Sequence, residues 1–418
     1  DYLPESLMNT TLSSLNWIEN PVKTLDSIAM FAASERQQQL TKPAGSLGKL
    51  EQVAIRLAGM QGNSLPCAEK VAIAVFAADH GIAAEGVSAF PQAVTAEMVK
   101  NFAGGGAAIC VAARYIAAPL TVYNLGTVTP TDGLANVVNQ PIAPQTANFL
   151  QHPAMTPAQL AAAMAVGRLA VCNVMGSVAG HSEFDLTDDK DQIAIQDNDN
   201  QRLHLFIGGE MGIANTTSAT AIASVLLGCA AEKLTGPGTG LDAAGISHKA
   251  KIITQAIEFH RSVFNSSEFE GPELKGSLDD PLIALQYFGG FEIAALTAAY
   301  LTCAQEGVPA VVDGFICTVA AMVACRINPR VADWMILSHT SAEPAYDMLL
   351  DSFDAMPLLN LELRLGEGSG AAIAVPLIRF ACALHNQMAT FAEAAVSAST
   401  TNESPKKSSK SPQREELV

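Results

Sequence analysis

Short apolar runs that end in glycine or polar clusters alternate along this chain with longer, alanine-rich segments. The apolar runs are rich in Val, Ile, Leu and Phe without strict alternation, which is typical of strands buried on both faces. We predict such strands at 71–81, 119–126, 202–212, 308–315 and 333–341. The segments between them predict helices at 92–115, 157–180, 216–232, 246–264, 290–306 and 317–327.

This alternation of strand and helix predicts an α/β fold with a Rossmann-like parallel sheet flanked by helices. Ligands of such sheets bind beyond the carboxyl ends of the strands. Polar clusters fall at those ends, with the sequences ADHG, GGEMG, DGF and SHTSAE. We therefore expect the functional site along this one edge of the sheet.

The two ends of the chain predict a second, smaller unit. Residues 9–62 read as helical, and 369–395 read as a helix that Pro376 is expected to start or kink. We expect 1–65 and 369–396 to form a small helical domain beside an α/β catalytic domain, 66–368.

Two polar stretches interrupt or follow this plan. The acidic stretch 182–200 lacks the glycine and the terminal glutamate that a calcium loop requires, so we interpret it as a solvated insertion. The segment 397–418 has few apolar residues and is expected to be a disordered tail.

Composition and charge narrow the classes of partner. The 418 residues carry a formal net charge of −17, which argues against nucleic acid or an anionic membrane as a partner. No secretion signal is visible, and apolar runs are interrupted before they would span a bilayer. The 8 cysteines form no CxxC pair and no zinc-like spacing. These features predict a cytoplasmic protein with reduced cysteines.

Several nucleotide and hydrolase motifs are absent. The chain has neither GxxxxGK[ST] nor GxSxG, which excludes P-loop kinases and α/β-hydrolases. The glycines at 104–106 do not follow a predicted strand, as a dinucleotide-binding fingerprint requires. This argues against a nicotinamide-dependent dehydrogenase.

Glu367 is the first candidate for chemistry. It lies between Gly366 and Gly368 in the sequence LRLGEGSGAAIAVP, directly before a predicted helix. One interpretation is a glutamate favoured by the positive end of the helix dipole. The other is a proton acceptor, because a carboxylate withdrawn from water has a raised pKa and is a better base near neutral pH. The flanking glycines favour the second, since a helix cap needs no such clearance.

A second glycine-flanked carboxylate, Glu210, precedes the polar run 215–218. The run NTTS at a helix start is either an anion nest, which phosphate would favour, or an ordinary N-cap cluster. Asp79 and His80 follow the first predicted strand. They read as a catalytic dyad, a metal pair or a strand-end capping group, although no second His/Asp pair of matching spacing supports a metal.

Seven motifs along the chain resemble one known family, the nicotinate-nucleotide:dimethylbenzimidazole phosphoribosyltransferases. They are KPAGSLGKLE (42–51), FAADHGIAAEGVSAFPQAVTAEMV (76–99), GEMGIANTTSA (209–219), GGFEIAAL (289–296), DGFICTVAA (313–321), SHTSAE (338–343) and RLGEGSGAA (364–372). The resemblance implies a parallel α/β sheet with a small helical domain, a homodimer, and no metal or organic cofactor. It implies the exchange of nicotinate for 5,6-dimethylbenzimidazole on a ribose phosphate, with inversion at C1′, to give α-ribazole 5′-phosphate for the lower ligand of cobalamin.

The resemblance also implies roles for particular residues. Glu367 would be the catalytic base, and Glu210 would support the transition state. The nucleotide and its phosphate would contact Gly212, Asn215, Thr216, Thr217, Lys249, Ser341, Arg364, Gly366 and Gly368. The benzimidazole-type base would contact Phe90, Pro91, Gln92 and Leu365.

Two other classes of function stay open at this point. A base-binding sensor that keeps the fold without the reaction would need neither Glu210 nor Glu367. A nucleoside hydrolase would release nicotinate to water without any added base. The acceptor is also open among dimethylbenzimidazole, benzimidazole, a purine and a phenolic compound.

Overall fold

The computed structural model describes residues 12–179, 202–264, 277–344, 346–351, 353 and 356–397. The predicted insertion at 182–200 and the predicted tail beyond Ser397 lie outside the described residues.

Six parallel strands form the central sheet, in the order β3-β2-β1-β4-β5-β6. They are β1 (Val71–Ala78), β2 (Leu120–Gly126), β3 (Val137–Asn139), β4 (Leu205–Met211), β5 (Ala310–Val312) and β6 (Met335–Leu337). The parallel α/β sheet and its five predicted strands are confirmed. Strand β3 was not predicted, because three half-buried residues are too short to give a pattern.

The strand order reverses direction between β1 and β4, which are neighbours at the centre of the sheet. Residue Phe76 pairs in register with Glu210, and Ala77 pairs with Met211. A crevice opens beyond the carboxyl ends of such a strand pair and is the usual ligand site of an open α/β sheet. The polar clusters that follow β1, β4, β5 and β6 all lie at this edge.

The helices lie before, between and after the strands. They are α1 (Ser27–Gln39), α2 (Lys49–Gln61), α3 (Val94–Ala103), α4 (Ala108–Tyr115), α5 (Pro157–Ala179), α6 (Asn215–Leu227), α7 (Ala231–Leu234), α8 (Ala243–Phe264), α9 (Pro281–Phe288), α10 (Phe291–Glu306), α11 (Phe315–Ile327), α12 (Tyr346–Leu350) and α13 (Ser369–Gln387). Short 3-10 helices occur at Leu12–Glu19, Gly81–Glu85 and Pro329–Trp334.

Several helix predictions differ from the structure for local reasons. The helix predicted at 216–232 ends at Leu227, because Gly228 has a φ of 61°, and the short helix α7 follows separately. The helix predicted at 92–115 is two helices, α3 and α4, separated at the glycine run where Gly105 has a φ of 74°.

Helix α9 was missed, although Asp280 accepts the N–H groups of Leu282 and Ile283 and Pro281 occupies the first turn. That pairing of an aspartate cap with a following proline is a recognisable helix start.

The C-terminal helix begins earlier than its proline. Helix α13 starts at Ser369, as expected, and continues through Pro376. Of the two roles expected for Pro376, starting or kinking the helix, the first is therefore excluded. Proline lacks the N–H that would bond one turn back, and the helix tolerates this single missing bond.

Helices from the two ends of the chain pack together. Arg36 of α1 donates to the carbonyl oxygens of His385 (2.7 Å) and Asn386 (2.9 Å), and Gln37 hydrogen-bonds His385 Nδ1 at 2.8 Å. Helix α13 packs on α2 and also on α4 and β4. These contacts agree with a terminal helical unit, while the division into two domains stays a prediction.

One described helix contradicts the expectation that every apolar run is too interrupted to span a bilayer. By length and composition alone, the stretch Pro157–Gly176 of α5 could cross a membrane, and 56% of it is buried inside the protein. It packs against α10. A buried helix in the core of a protein can have the same length and apolar composition.

The crossing of α5 and α10 gives a test of this packing. An alanine inside a helix ordinarily stabilises it by about 1 kcal/mol relative to glycine. At Gly167, however, a Cβ would overlap the backbone carbonyl of Ala295. We expect Gly167→Ala to lower the free energy of unfolding by about 1–3 kcal/mol, measured by thermal or urea denaturation.

The matched control is Gly245→Ala in α8, where the nearest atom to a new Cβ is Leu241 Cδ2, the flexible end of a side chain, at 2.9 Å. We expect this variant to be as stable as the wild type or slightly more stable. Equal stability of the two alanine variants would contradict the close contact between α5 and α10.

Candidate active site

Glu367 lies in an unusual stretch of backbone. The φ angles of Gly366, Glu367 and Gly368 are 88°, 65° and 85°, three left-handed residues in succession. A residue with a side chain in this conformation is strained by about 1–3 kcal/mol, and such strain concentrates at functional sites. The expected place directly before a helix is confirmed, because α13 begins two residues later, at Ser369.

The Glu367 carboxylate is held at the start of another helix. Its Oε2 atom accepts the N–H of Ile109, in the first turn of α4, at 3.3 Å. Only 6% of the residue is exposed. Burial raises the pKa of this carboxyl, the Ile109 N–H lowers it and the charge of Asp313 raises it, with a net upward shift. A carboxylate of this kind is a better proton acceptor near neutral pH than an exposed one.

The loop that carries Glu367 lies directly on the central strand β4. A Cβ at Gly209 would overlap the carbonyl oxygen of Glu367, so this close approach requires glycine. A Cβ at Gly366 would in turn approach Glu210 Oε1 to 2.5 Å. The two glycine-flanked glutamates of the sequence are therefore brought to one place, across the contact between the loop and the strand.

Glu210 is buried beneath this loop, and its Oε2 accepts the side-chain amide of Asn215. Burial, followed by the charges of Glu292 and Asp313, raises the pKa of Glu210 to about 8. The Asn215 hydrogen bond opposes this shift but does not cancel it. As folded, the side chain is mainly neutral at pH 7.

Asp313, directly after β5, is a third carboxylate at this edge. Its oxygens accept the N–H groups of Gly368 (3.1 Å) and Ala371 (3.0 Å), at the start of α13. Nε2 of His339, which follows β6, lies 3.3 Å from Asp313 Oδ1. Neither residue was among the predicted site residues, although both stand in the quoted strand-end clusters DGF and SHTSAE.

Asp79 and His80 do not act as a pair. Asp79 Oδ2 accepts the N–H of Val128 at 2.9 Å, which supports the capping interpretation. His80 instead contacts Glu292 through Nε2 (2.7 Å) and Ser218 through Nδ1 (3.0 Å). This serine, histidine and glutamate are all fully buried and are hydrogen-bonded to one another through the histidine ring.

Glu292 was missed because it stands alone in an apolar helix start, where sequence patterns place core residues. The feature that could have identified Glu292 is a single acidic residue shortly after two glycines, in the quoted motif GGFEIAAL.

The polar residues at the start of α6 do not cap it. The N-cap position is taken by Ala214, which has no side-chain acceptor, so the ordinary N-cap interpretation is wrong. Asn215 instead reaches Glu210, and Thr216 Oγ1 accepts Lys249 Nζ at 2.7 Å. The Thr217 hydroxyl is buried with no hydrogen-bond partner among the described residues.

A basic group faces this helix start. Lys249 of α8 is 1% exposed, and burial lowers its pKa to about 8 against the opposing charge of Glu343. Burial raises the pKa of the Glu343 carboxyl, and the charges of Lys249 and of exposed Arg364 oppose that shift. Ser341 Oγ accepts the N–H of Glu343 at 3.3 Å. Glu343 thus lies beside three of the residues predicted to contact the nucleotide.

Gly212, also predicted to contact the nucleotide, packs closely against the end of β1. A Cβ at this position would approach the carbonyl oxygen of Ala78 to 2.5 Å and the His80 ring to 3.1 Å. Gly212 therefore lies at the crevice between β1 and β4.

The residues predicted to contact the acceptor base lie at the surface near this crevice. Phe90 and Leu365 are 50% and 60% exposed, and Pro91 is exposed as well. Gln92 donates to the His80 carbonyl oxygen (3.0 Å) and to Gln145 Oε1 (2.7 Å). Two cavities, of about 350 and 510 Å³, lie elsewhere, between α2 and β6, and no predicted site residue lines either of them.

Comparison with known proteins gives a consistent result. A family model described as "Phosphoribosyltransferase" matches residues 22–179 and 192–396. The chain is 52% identical over 380 residues to the nicotinate-nucleotide–dimethylbenzimidazole phosphoribosyltransferase of Pseudomonas putida (strain W619), covering 91% of this chain and 97% of the relative. It is 51% identical over 380 residues to that of Pseudomonas fluorescens (strain SBW25), with the same coverage of both chains.

Solved structures agree. The crystal structure of CobT from Thermus thermophilus superimposes with a TM-score of 0.76 at 36% identity, covering 89% of this chain and 100% of that one. A second crystal structure, of the nicotinate-nucleotide–dimethylbenzimidazole phosphoribosyltransferase of the same organism, superimposes with a TM-score of 0.75 at 35% identity, covering 90% of this chain and 100% of that one.

The raised pKa of Glu210 predicts a pH-dependent stability. The folded protein holds this proton more tightly than the unfolded chain, whose glutamate has the ordinary pKa of 4.5. The resulting contribution to stability is complete below pH 4.5 and is lost as the pH rises toward 8. Glu210→Gln keeps an oxygen for Asn215 and does not titrate.

We therefore expect the free energy of unfolding of Glu210→Gln to match that of the wild type near pH 5 and to exceed it increasingly up to pH 8, by about a few kcal/mol at most. The melting temperature of the variant should rise above that of the wild type over the same range. Melting curves of both proteins across this range are the measurement. A difference that stays constant with pH would contradict a buried, neutral Glu210.

Proposed function

We propose that this chain, which belongs to the nicotinate-nucleotide–dimethylbenzimidazole phosphoribosyltransferase family, catalyses the reaction for which its relatives are named. It transfers the 5-phosphoribosyl group of nicotinate mononucleotide to 5,6-dimethylbenzimidazole. The products are α-ribazole 5′-phosphate, for the lower ligand of cobalamin, and nicotinate. The observation that carries this proposal is the buried Glu367 carboxylate, held on a left-handed loop at the crevice edge.

The proposed step uses one proton acceptor. One ring nitrogen of the benzimidazole attacks C1′ with its lone pair, and the bond from C1′ to the nicotinate nitrogen breaks with its electrons going to nicotinate. Attack from the opposite face inverts C1′ and gives the α-glycosidic bond. The other ring nitrogen loses its proton to Glu367, which orients the acceptor and raises its nucleophilicity as the new bond forms.

Glu210 is proposed to stabilise the positive charge that develops on the ribose. Its raised pKa and burial keep it neutral until a cation is close. A pyridinium nucleotide, and still more an oxocarbenium-like transition state, favours the ionised carboxylate. In a buried site such a charge interaction is much stronger than in water.

The nucleotide phosphate is proposed to lie at the start of α6. Lys249 contacts Thr216 there, and Arg364 is the nearby exposed cation. Hydroxyls of Thr216, Thr217 and Ser341 are suitable donors to phosphate or ribose oxygens, and the helix start favours an anion. These groups give an acidic protein a local site for a negatively charged substrate.

The acceptor base is proposed to stack on exposed Phe90 beside Leu365, with Pro91 and Gln92 completing its surroundings. We further propose a homodimer in the cytoplasm that acts on these small molecules and binds neither nucleic acid nor membrane. These points rest on the resemblance and on the acidic composition.

The direct test is an assay of nicotinate release from nicotinate mononucleotide with and without dimethylbenzimidazole. We expect Glu367→Gln to lower the base-dependent rate at least roughly tenfold, about 1.4 kcal/mol of transition-state stabilisation, because the amide accepts no proton. The matched control is Glu362→Gln, since Glu362 also has a left-handed φ (56°) but is exposed. We expect its rate to equal that of the wild type.

Each other result of this assay points elsewhere. Equal activity in Glu367→Gln would remove this residue from the chemistry and direct attention to Glu210. Nicotinate release by the wild type without any base would favour a nucleoside hydrolase. No turnover with any azole or purine would favour a base-binding sensor.

A further inference from the structure

We infer that Asp313 and His339 form a positioning pair that holds Glu367 in its left-handed conformation, so that its carboxylate meets the acceptor base in the required orientation. This inference rests on the proposed function, because it assigns two residues to the positioning of Glu367, the proposed proton acceptor. Neither side chain is proposed to touch the reacting atoms.

Asp313 fixes the loop immediately after Glu367. It accepts the N–H of Gly368, the next residue, and the N–H of Ala371, in the first turn of α13. Both N–H groups belong to a helix start, where no carbonyl of the same helix accepts them. Asp313 follows β5 directly and is 1% exposed, so the anchor stands on the central sheet rather than on a mobile surface.

His339 completes the pair. Its Nε2 lies 3.3 Å from Asp313 Oδ1, and its Nδ1 lies 3.1 Å from the carbonyl oxygen of Thr340. Both neighbouring atoms are acceptors, and only a doubly protonated imidazole donates from both nitrogens. This arrangement favours the doubly protonated imidazole beside the Asp313 carboxylate.

The direction of the His339 pKa agrees with this assignment. Burial alone would lower the pKa of the imidazole, but the hydrogen bond and charge of Asp313 raise it above its ordinary value. The contact is also close in space, since a Cβ at Gly370 would overlap the His339 ring. The ring thus packs directly on the first turn of α13.

The pair matters because the loop is strained. Holding a glutamate at a φ of 65° costs about 1–3 kcal/mol, which must come from surrounding contacts. If Asp313 releases the two N–H groups, Glu367 can relax to an ordinary conformation. Its carboxylate then leaves the place where the acceptor proton is transferred, and a misplacement of about 1 Å can cost on the order of a hundredfold in rate.

The experiment compares His339→Gln and Asp313→Asn with a matched control, His260→Gln. His260 is as buried as His339 and contacts a carbonyl oxygen, that of Phe149, at 2.7 Å, but it lies on α8, where its ring packs against Tyr287 and Phe288. For each protein we would measure kcat, KM for both substrates, melting temperature, and hydrogen exchange of the segment containing residues 368–371.

We expect His339→Gln to lower kcat at least roughly tenfold with KM changed by less than about threefold, because orientation rather than binding is lost. Exchange of the segment is expected to accelerate in both site variants. His260→Gln is expected to lower the melting temperature without changing kcat or exchange at this segment. Should Asp313→Asn fail to fold, His339→Gln still tests the pair.

Two results would overturn the inference. One is a kcat that stays at the wild-type value in His339→Gln while the segment exchanges faster. The other is a kcat loss in His260→Gln as large as in His339→Gln, which would show a general effect of stability. If the wild type releases no nicotinate in the presence of base, the proposed function fails. The holding role is then judged by exchange alone, and unaltered exchange in both site variants would reject it.

Discussion

Among the buried carboxylates at the carboxyl edge of the sheet, four interact through their charges, and the need to accommodate those charges organises the surrounding structure. They are Glu210, Glu292, Asp313 and Glu367. An uncompensated buried charge is very costly, so each must be paired, hydrogen-bonded or protonated. The chain uses three different solutions for the four. Histidines face Glu292 and Asp313, a helix N–H meets Glu367, and Glu210 keeps its proton.

These different solutions separate the chemical roles. Like charges at short range push pKa values apart, so neighbouring carboxylates need not ionise together. Glu367 accepts a backbone N–H and is the proposed base, whereas Glu210 is mainly neutral until a cation approaches. The basic residues Lys249 and Arg364 lie apart from these two glutamates and interact with Glu343. The acidic edge suits a cationic sugar, and the basic side suits its phosphate.

Much of this arrangement was predictable from local patterns. Buried strands and alanine-rich helices alternate clearly, because burial on both faces leaves long apolar runs. Glu367 and Glu210 were recognisable because each stands alone among glycines. The break between α3 and α4 and the short strand β3 were not predicted, since they depend on a single left-handed glycine and on three residues that pair with β2. The fold class was confirmed by the sheet and by similarity to the solved structures.

The sequence by itself determined the parallel α/β fold, the edge of the sheet where the proposed site lies and the two glutamates proposed to act there. Only the tertiary structure decided the partners of each carboxylate. Asp313 reaches Gly368 across 55 residues of chain, and Glu292 reaches His80 across 212. Asp79 and His80, adjacent in sequence, face different groups. The physical reason is that local pattern reports burial and backbone propensity, whereas the pairing of buried charges is set by which strand ends the sheet places side by side.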